Sequence, residues 1–282
     1  SVNNSLVCQV LLDSGSENQK DLFLKSLAKG EKLGAYSLSE PQSGSDAGNM
    51  KTFAEKDGGS YIINGSKNWV TSGINSDLVI LFCLTEKGVG SKGVSCFIVE
   101  KETDGLAVGK KEEKLGIRAS DTSELFFENC RVSKQNRIGA EGEGFTIALK
   151  VLAGGRIGIG AQAVGLARGA LEKATAYAKE RQQFGKPISK FGAIQNKIAK
   201  MATNIDAARL LVWQAAHLKD QGKKYVKQSS MAKLFASSAA MKAASDCIQI
   251  YGGYGYVHEY GIERLIRDAK ITEIYEGTSE IQ

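Results

Sequence analysis

"FTIALKVLAGGRIGIGAQAVGLARGALEKATAYAKERQQFG", Phe145 to Gly185, contains no proline and repeats apolar and small residues at helical spacing from end to end. It predicts one long helix or two abutting ones. The chain beyond it stays helical. "IQNKIAKMATNIDAARLLVWQAAHLKDQG" stops at Gly222, "VKQSSMAKLFASSAAMKAASDCIQIYGG" stops at Gly252 and Gly253, and "GIERLIRDAKITEIYEG" forms a shorter fourth helix. The chain before it has another character. Within residues 34–133, "YIINGSKNWVTS", "DLVILFCL", "VSCFIVE" and "SELFFENCRV" are short runs rich in β-branched and aromatic residues, punctuated by Gly, Asn, Asp and Ser. These read as strands. Further upstream, "SLVCQVLL" and "QKDLFLKSLAKG" return to helical spacing, with Gly30 as a stop. The expected fold class is α+β and multidomain: a helical segment over 1–33, a β domain over 34–135 and a helical bundle over 136–282.

Gly154, Gly158, Ala161, Gly165 and Gly169 fall on one face of the long helix, and such a row predicts close helix–helix packing. The chain has 282 residues, enough to bury a substantial core. Its net charge of +6 is spread along the sequence, and the densest run, Lys110 to Lys114, is broken by Glu112 and Glu113. That is a solvated mixed-charge face and not a nucleic-acid stripe. The mild positive balance suits an acidic small molecule such as a phosphorylated cofactor. Five cysteines without a CxxC pair point to buried thiols in a reducing compartment, and two distant histidines make no metal site. The most apolar helical stretch, Val151 to Leu171, carries Arg156 and Arg168, so no membrane span is expected. The chain opens in mid-phrase, without an initiator methionine, and is expected to be a fragment or a processed product.

Several segments have a composition suited to a ligand. "YSLSEPQSGSDAG", Tyr36 to Gly48, is a strand running into a turn dense in hydroxyls, where Ser39, Ser43 and Ser45 could serve phosphates or polar ring edges; it also reads as an ordinary polar turn. "NGSKNWVTSG" sets Trp69 two residues before Thr71, which puts both on one side of a strand, either to meet a flat heterocycle or to pack in a core. Arg181 ends a helix, where it could bind phosphate or complement the helix dipole. "IQIYGGYGYVHEYG" is a glycine- and aromatic-rich break that allows close approach or a plain helical turn. "GIGAQA" matches a dinucleotide fingerprint in letters only, because the residues before it are helical and no strand leads in. The closing "IYEGTSEIQ" sets a carboxylate, Glu276, beside a glycine and two hydroxyls, as a helix end or as a base held where a ligand comes close.

These segments, in this order and with "RDAKITEIYEGTSEIQ", resemble the acyl-CoA dehydrogenase family over essentially the whole chain, and "SVNNSL" and "KLGIRAS" resemble its short-chain members. The resemblance implies an N-terminal helical domain of which this chain holds a remnant, a middle β-barrel-like domain and a C-terminal four-helix bundle. It implies bound FAD, a homotetramer, an acyl-CoA substrate and electron-transfer flavoprotein as acceptor. The compartment would be cytoplasmic if bacterial and the mitochondrial matrix if eukaryotic. Matched by motif, Tyr36, Leu38, Ser39, Ser45, Trp69 and Thr71 resemble flavin contacts of the β domain, with Ser45 also near substrate. Arg181, Phe184, Gln249, Gly252 and Gly253 resemble flavin contacts made between subunits, and Thr278 and Glu280 the last flavin segment. Arg156, Tyr275 and Gly277 resemble substrate contacts and Glu276 the catalytic base. One departure is Ala153, where the family often writes an acidic residue. Isovaleryl and long-chain members carry their base immediately before the matching arginine, and here that residue is Gly155. The implied reaction is α,β-dehydrogenation, with the backbone N–H of Glu276 and a flavin ribityl hydroxyl holding the thioester carbonyl. The alternatives are a medium- or branched-chain substrate, an oxidase-type activity, or a non-catalytic piece acting through oligomerisation.

Overall fold

A computed structural model describes residues 2–282. The chain divides into two compact units, residues 1–113 with 118–155, and residues 114–117 with 156–282. The first unit opens with short helices: a π-helical turn Asn3–Cys8 running into α1 (Gln9–Ser14), then α2 (Glu17–Gln19), a second π turn Lys20–Leu24 and α3 (Lys25–Lys29). Ser16 caps α2 in a reciprocal capping box with Gln19, and Gly30 ends α3 in the left-handed conformation only glycine adopts freely.

The helices lead into eight strands: β1 (Gly34–Ser37), β2 (Phe53–Asp57), β3 (Ser60–Thr71), β4 (Leu78–Leu84), β5 (Val94–Glu100), β6 (Leu106–Lys111), β7 (Thr122–Ser133) and β8 (Arg137–Ile138). They form one sheet in the order β6-β7-β3-β2-β4-β5-β8, with β1 added in parallel to β4. The run "DLVILFCL" is explained by β4, which is buried on both faces. Leu78, Ile80 and Phe82 join a core with Leu6, Val10, Leu11, Phe23 and Leu27 of the short helices, while Val79, Leu81 and Cys83 join a second core with Tyr61, Ile63, Phe97 and Leu125. The short helices are therefore packed onto one sheet face as part of this unit.

The stretch that decided the fold is one helix, α4 (Gly144–Glu180), of 37 residues. A two-residue hairpin pairs β9 (Gln182–Gln183) with β10 (Lys186–Pro187). Then come α5 (Gly192–Asp220), α6 (Val226–Tyr251), α7 (Gly253–Tyr256) and α8 (Glu263–Lys270). The second unit is built around a core dominated by alanine: Ala163, Ala167, Ala170, Ala174 and Ala178 of α4 with Ala208 and Ala215 of α5 and Ala232, Ala236 and Ala240 of α6. Residues 114–117 join this unit through α8: Ile117 N–H donates to Asp268 Oδ1 at 2.7 Å, and Arg267 Nη1 donates to the Leu115 carbonyl at 3.0 Å.

Two expectations are corrected. The packed small-residue row on α4 is not Gly154–Gly158–Ala161–Gly165–Gly169. Ala161 and Gly165 are exposed, and a Cβ placed on Gly165 or Gly169 would meet nothing within 4 Å. The buried row runs from Gly160 through Ala163 and Ala167 to Ala178, and a Cβ on Gly160 would come within 2.9 Å of Val212 Cγ2. Two rows of small residues lie on different faces of the same helix, and spacing alone does not say which face finds a partner. The last helix is also shorter than its apolar spacing suggests. It ends at Lys270, passes through one 3₁₀ turn, Ile271–Glu273, and leaves Glu276 outside any helix. By length and composition α4 could cross a membrane, but half of its most apolar window is buried inside the protein. An alanine-rich core helix satisfies the same test.

Candidate active site

In the first unit the hydroxyl-rich loop after β1 is held by a buried ion pair. Lys67 Nζ on β3 donates to Glu40 Oε1 at 2.8 Å and to the Leu38 carbonyl at 2.9 Å, with both charged side chains sealed from solvent. Glu40 also accepts from the backbone N–H of Lys51 and Thr52 and from Gln42. Burial alone would raise the Glu40 pKa, but the Lys67 charge and these hydrogen bonds outweigh it and hold it below the ordinary carboxylate value. The Asn68 N–H donates to the Ser39 carbonyl at 2.9 Å, so the loop is fastened to the strand that carries Trp69. Of the three serines, Ser43 is buried and donates to the Asp46 carbonyl at 2.7 Å, so its hydroxyl is used within the turn. Ser39 is half-buried; Ser45 is exposed and lines a shallow cleft with Asp46, Ser91 and Phe145. Leu38 places its side chain in the core, and the Tyr36 ring lies 5.0 Å from that of Phe82.

The alternation of β3 is broken by a bulge between Lys67 and Val70. Lys67 and Val70 both turn inward although they are three residues apart, and Trp69 takes a left-handed φ of 60° with 65% of its surface exposed. Trp69 and Thr71 thus flank the buried Val70 on the side away from the core. Six non-glycine residues among those described have positive φ, and three of them, Trp69, Phe184 and Glu276, are candidate site residues. Such conformations cost energy and persist where the surroundings enforce them.

In the second unit, Phe184 and Gly185 form the tip of the β9–β10 hairpin with φ of 51° and 74°, the signs of a type I′ turn. The turn leaves Phe184 91% exposed. It borders a cleft of about 780 Å³ lined by Arg181, Phe184, Tyr251, Gly252, Gly253 and Tyr254 among others. Arg181 lies over the Tyr254 ring at 5.4 Å, and no atom stands within 4 Å of a Cβ on Gly252 or Gly253. Gln249 is exposed and directly precedes Ile250, which lines the cleft. A cation, exposed aromatic rings and bare backbone are what a dinucleotide needs for its phosphates and flat rings, as the exposed indole and neighbouring hydroxyls of β3 are for an isoalloxazine. The residues present fit FAD.

The closing segment carries the candidate base. Glu276 has φ 52° and Gly277 φ 94°. A Cβ on Gly277 would stand 2.7 Å from Gln282 Nε2. The Glu276 Oε2 is buried and has no hydrogen-bond partner among the described residues. Burial pushes its pKa up to about 7, against the opposing pull of Lys233 and Arg156. Arg156 Nη1 donates to Ser230 Oγ at 2.7 Å, and Tyr275 Oη donates to Gln162 Oε1 at 2.5 Å, which fixes both side chains on α4 and its neighbours. Glu280, the rival carboxylate, is exposed and pulled below its ordinary value by its own N–H and the Thr278 hydroxyl. Lys233 was missed in the sequence. Its signal was its position on α6, where it falls on the buried stripe of Ser229, Ala232, Ala236 and Ala240. Glu40 and Lys67 were missed as well, being ordinary letters in polar segments.

Family models for the middle and C-terminal domains of acyl-CoA dehydrogenases match residues 35–130 and 142–282. An acyl-CoA dehydrogenase of Bacillus subtilis is 53% identical over 282 residues, all of this chain and 74% of its own length. A short-chain-specific acyl-CoA dehydrogenase of Clostridium acetobutylicum is 50% identical over the same span, again 74% of its own length. The solved butyryl-CoA dehydrogenase of Megasphaera elsdenii superposes with a TM-score of 0.97 at 47% identity, covering 98% of this chain and 73% of that one.

Proposed function

Because this chain belongs to the acyl-CoA dehydrogenase family, we propose that it carries out FAD-dependent α,β-dehydrogenation of short-chain acyl-CoA thioesters with Glu276 as the base. The short chain length is supported by relatives about half identical to it that act on butyryl-CoA or are short-chain specific. One observation carries the role of Glu276: a buried carboxylate oxygen without a partner, on a left-handed backbone next to a glycine.

FAD, when bound, would supply the acceptor for the β hydride. Glu276 takes the α proton onto its free oxygen. A pKa near 7 suits it to do so at neutral pH, and a base so placed contributes on the order of 10² to 10⁴ in rate. The Glu276 N–H donates to the thioester carbonyl, and one such donor is worth roughly 3 kcal/mol. Gly277 keeps side-chain atoms away from that carbonyl, and Arg156 meets the acyl-CoA close to the base. Trp69 and Thr71 would hold the flavin ring, and Arg181, Phe184, Gly252 and Gly253 of a neighbouring subunit would hold its adenine nucleotide half. A homotetramer and transfer of electrons to electron-transfer flavoprotein complete this reading.

The test is Glu276→Gln. It should retain the flavin absorption band, fail to bleach on anaerobic addition of butyryl-CoA, and lose turnover by at least two orders of magnitude. Retained bleaching would overturn the assignment of the base.

A further inference from the structure

Two lysines in this chain are wholly buried, and they are spent differently. Lys67 sits at 2.8 Å from Glu40, an ion pair that holds a loop. Lys233 is 0% exposed, yet it makes no ion pair among the described residues. Its Nζ instead donates to the carbonyl of Gly277 at 2.5 Å, and the same oxygen accepts from Gln282 Nε2 at 2.8 Å. Both acceptor sites of that carbonyl are filled. A lone buried ammonium is costly, and here its one strong bond goes to the peptide just after Glu276.

We propose that Lys233 is a positioning residue for the reaction: its ammonium pins the strained Glu276–Gly277 turn through the Gly277 carbonyl and favours the ionised form of the neighbouring carboxylate, the form that can accept a proton. This rests on Glu276 being the base. The turn needs such a restraint, since Glu276, a non-glycine residue at φ 52°, relaxes unless held. A hydrogen bond to the backbone, in place of a close ion pair, leaves the carboxylate oxygen free for substrate. The charges agree with this division. Burial draws Lys233 down to about 8, resisted chiefly by Glu276 and more weakly by Glu273 and Glu280, with Arg156 acting in the opposite sense. The groups that face Glu276 are Lys233, Arg156 and Tyr275.

The experiment compares Lys233→Met and Lys233→Arg with the unaltered flavin-loaded protein. Lys233→Met should keep its flavin and a KM for butyryl-CoA within about threefold, and lose tenfold or more in kcat at pH 7. The acidic limb of its rate profile should move up by about one pH unit or more, the size expected for losing a neighbouring opposite charge. The infrared band of the protonated carboxyl that disappears in Glu276→Gln should titrate later by the same amount, with or without flavin. Lys233→Arg should return the limb toward its original place. If Lys233→Met does not fold, ¹⁵N-lysine spectra of Glu276→Gln read the same coupling from the other side, because linkage is reciprocal: the Lys233 ammonium should titrate lower than in the unaltered protein. An unmoved limb and unmoved infrared titration in folded Lys233→Met, or an unmoved ammonium in Glu276→Gln, would overturn the proposal. Turnover surviving in Glu276→Gln would instead overturn the base, and with it the chemical role of Lys233. An inert Glu276→Gln with unmoved titrations would reject Lys233 alone.

Discussion

Glu276 is stable where it stands in its neutral form and costly when ionised. Its folded pKa, about 7, lies above the ordinary 4.5 because burial disfavours the anion. The stability it contributes is therefore full below about pH 4.5 and lost as pH rises through 7. The difference is about 3 kcal/mol at most, taking 1.36 kcal/mol per pKa unit. Denaturation curves of the flavin-free protein should show stability falling between pH 4.5 and 7.5, and Glu276→Gln should flatten that fall. Activity should move the other way, rising through the same window as Glu276, the proposed base, deprotonates. Gly277 answers to a different constraint. Alanine there would have to hold φ near 94° with its Cβ 2.7 Å from Gln282 Nε2. Gly277→Ala should cost at least about 1 kcal/mol of stability and lose a larger share of kcat/KM than of melting temperature, because the displaced atoms belong to the turn carrying the proposed base.

At the scale of elements, β3 and the loop after β1 act as one piece. Lys67 reaches from the strand to Glu40 and to the Leu38 carbonyl, and the bulge beside it turns Trp69 outward. Lys67→Met leaves Glu40 buried without its cation and should destabilise the protein by about 3–5 kcal/mol. Replacing both partners, Lys67→Met with Glu40→Gln, should recover a large part of that in urea denaturation. The same single variant should weaken retention of flavin during gel filtration, because Ser39 and Trp69 lose their common anchor. The helices obey a simpler rule. Alanine at Ala163, Ala167, Ala170, Ala174 and Ala178 lets α4 approach its neighbours closely, so a large residue at Ala170 should disrupt the core while one at Gly165, facing open space, should cost little by comparison.

At the scale of the molecule, the helical unit leaves large apolar side chains uncovered: Leu210 and Trp213 on α5, Met231, Leu234 and Phe235 on α6, and Tyr256. Exposed groups of this size mark surfaces that bind. If the chain assembles as its family does, Trp213→Glu combined with Leu234→Glu should lower the mass measured by light scattering while leaving helical content intact. Flavin should be lost with it, since Arg181 and Phe184 are proposed to serve a neighbouring subunit.

The sequence by itself determined the order of elements: short helices, a run of strands, then long helices. Each is written in local pattern: the long helical spacing of α4, and in β4 a short continuous apolar run bounded by turn residues. It also determined which letters belong to the closing motif, through resemblance to a family whose motifs recur in the same order. Tertiary structure decided which periodicity finds a partner. The alanine row of α4 is buried along its length, while the glycine row is buried at Gly154 but exposed at Ala161 and Gly165, although both have helical spacing, because the choice depends on where the neighbouring elements lie. It decided that "IYEG" leaves the helix, because positive φ at Glu276 and Gly277 is imposed by what surrounds the turn. It decided, finally, the work of Glu40, Lys67 and Lys233. A buried charge is defined by its partner, and these partners lie 27 and 44 residues away along the chain. No local pattern in the sequence records a distance of that kind.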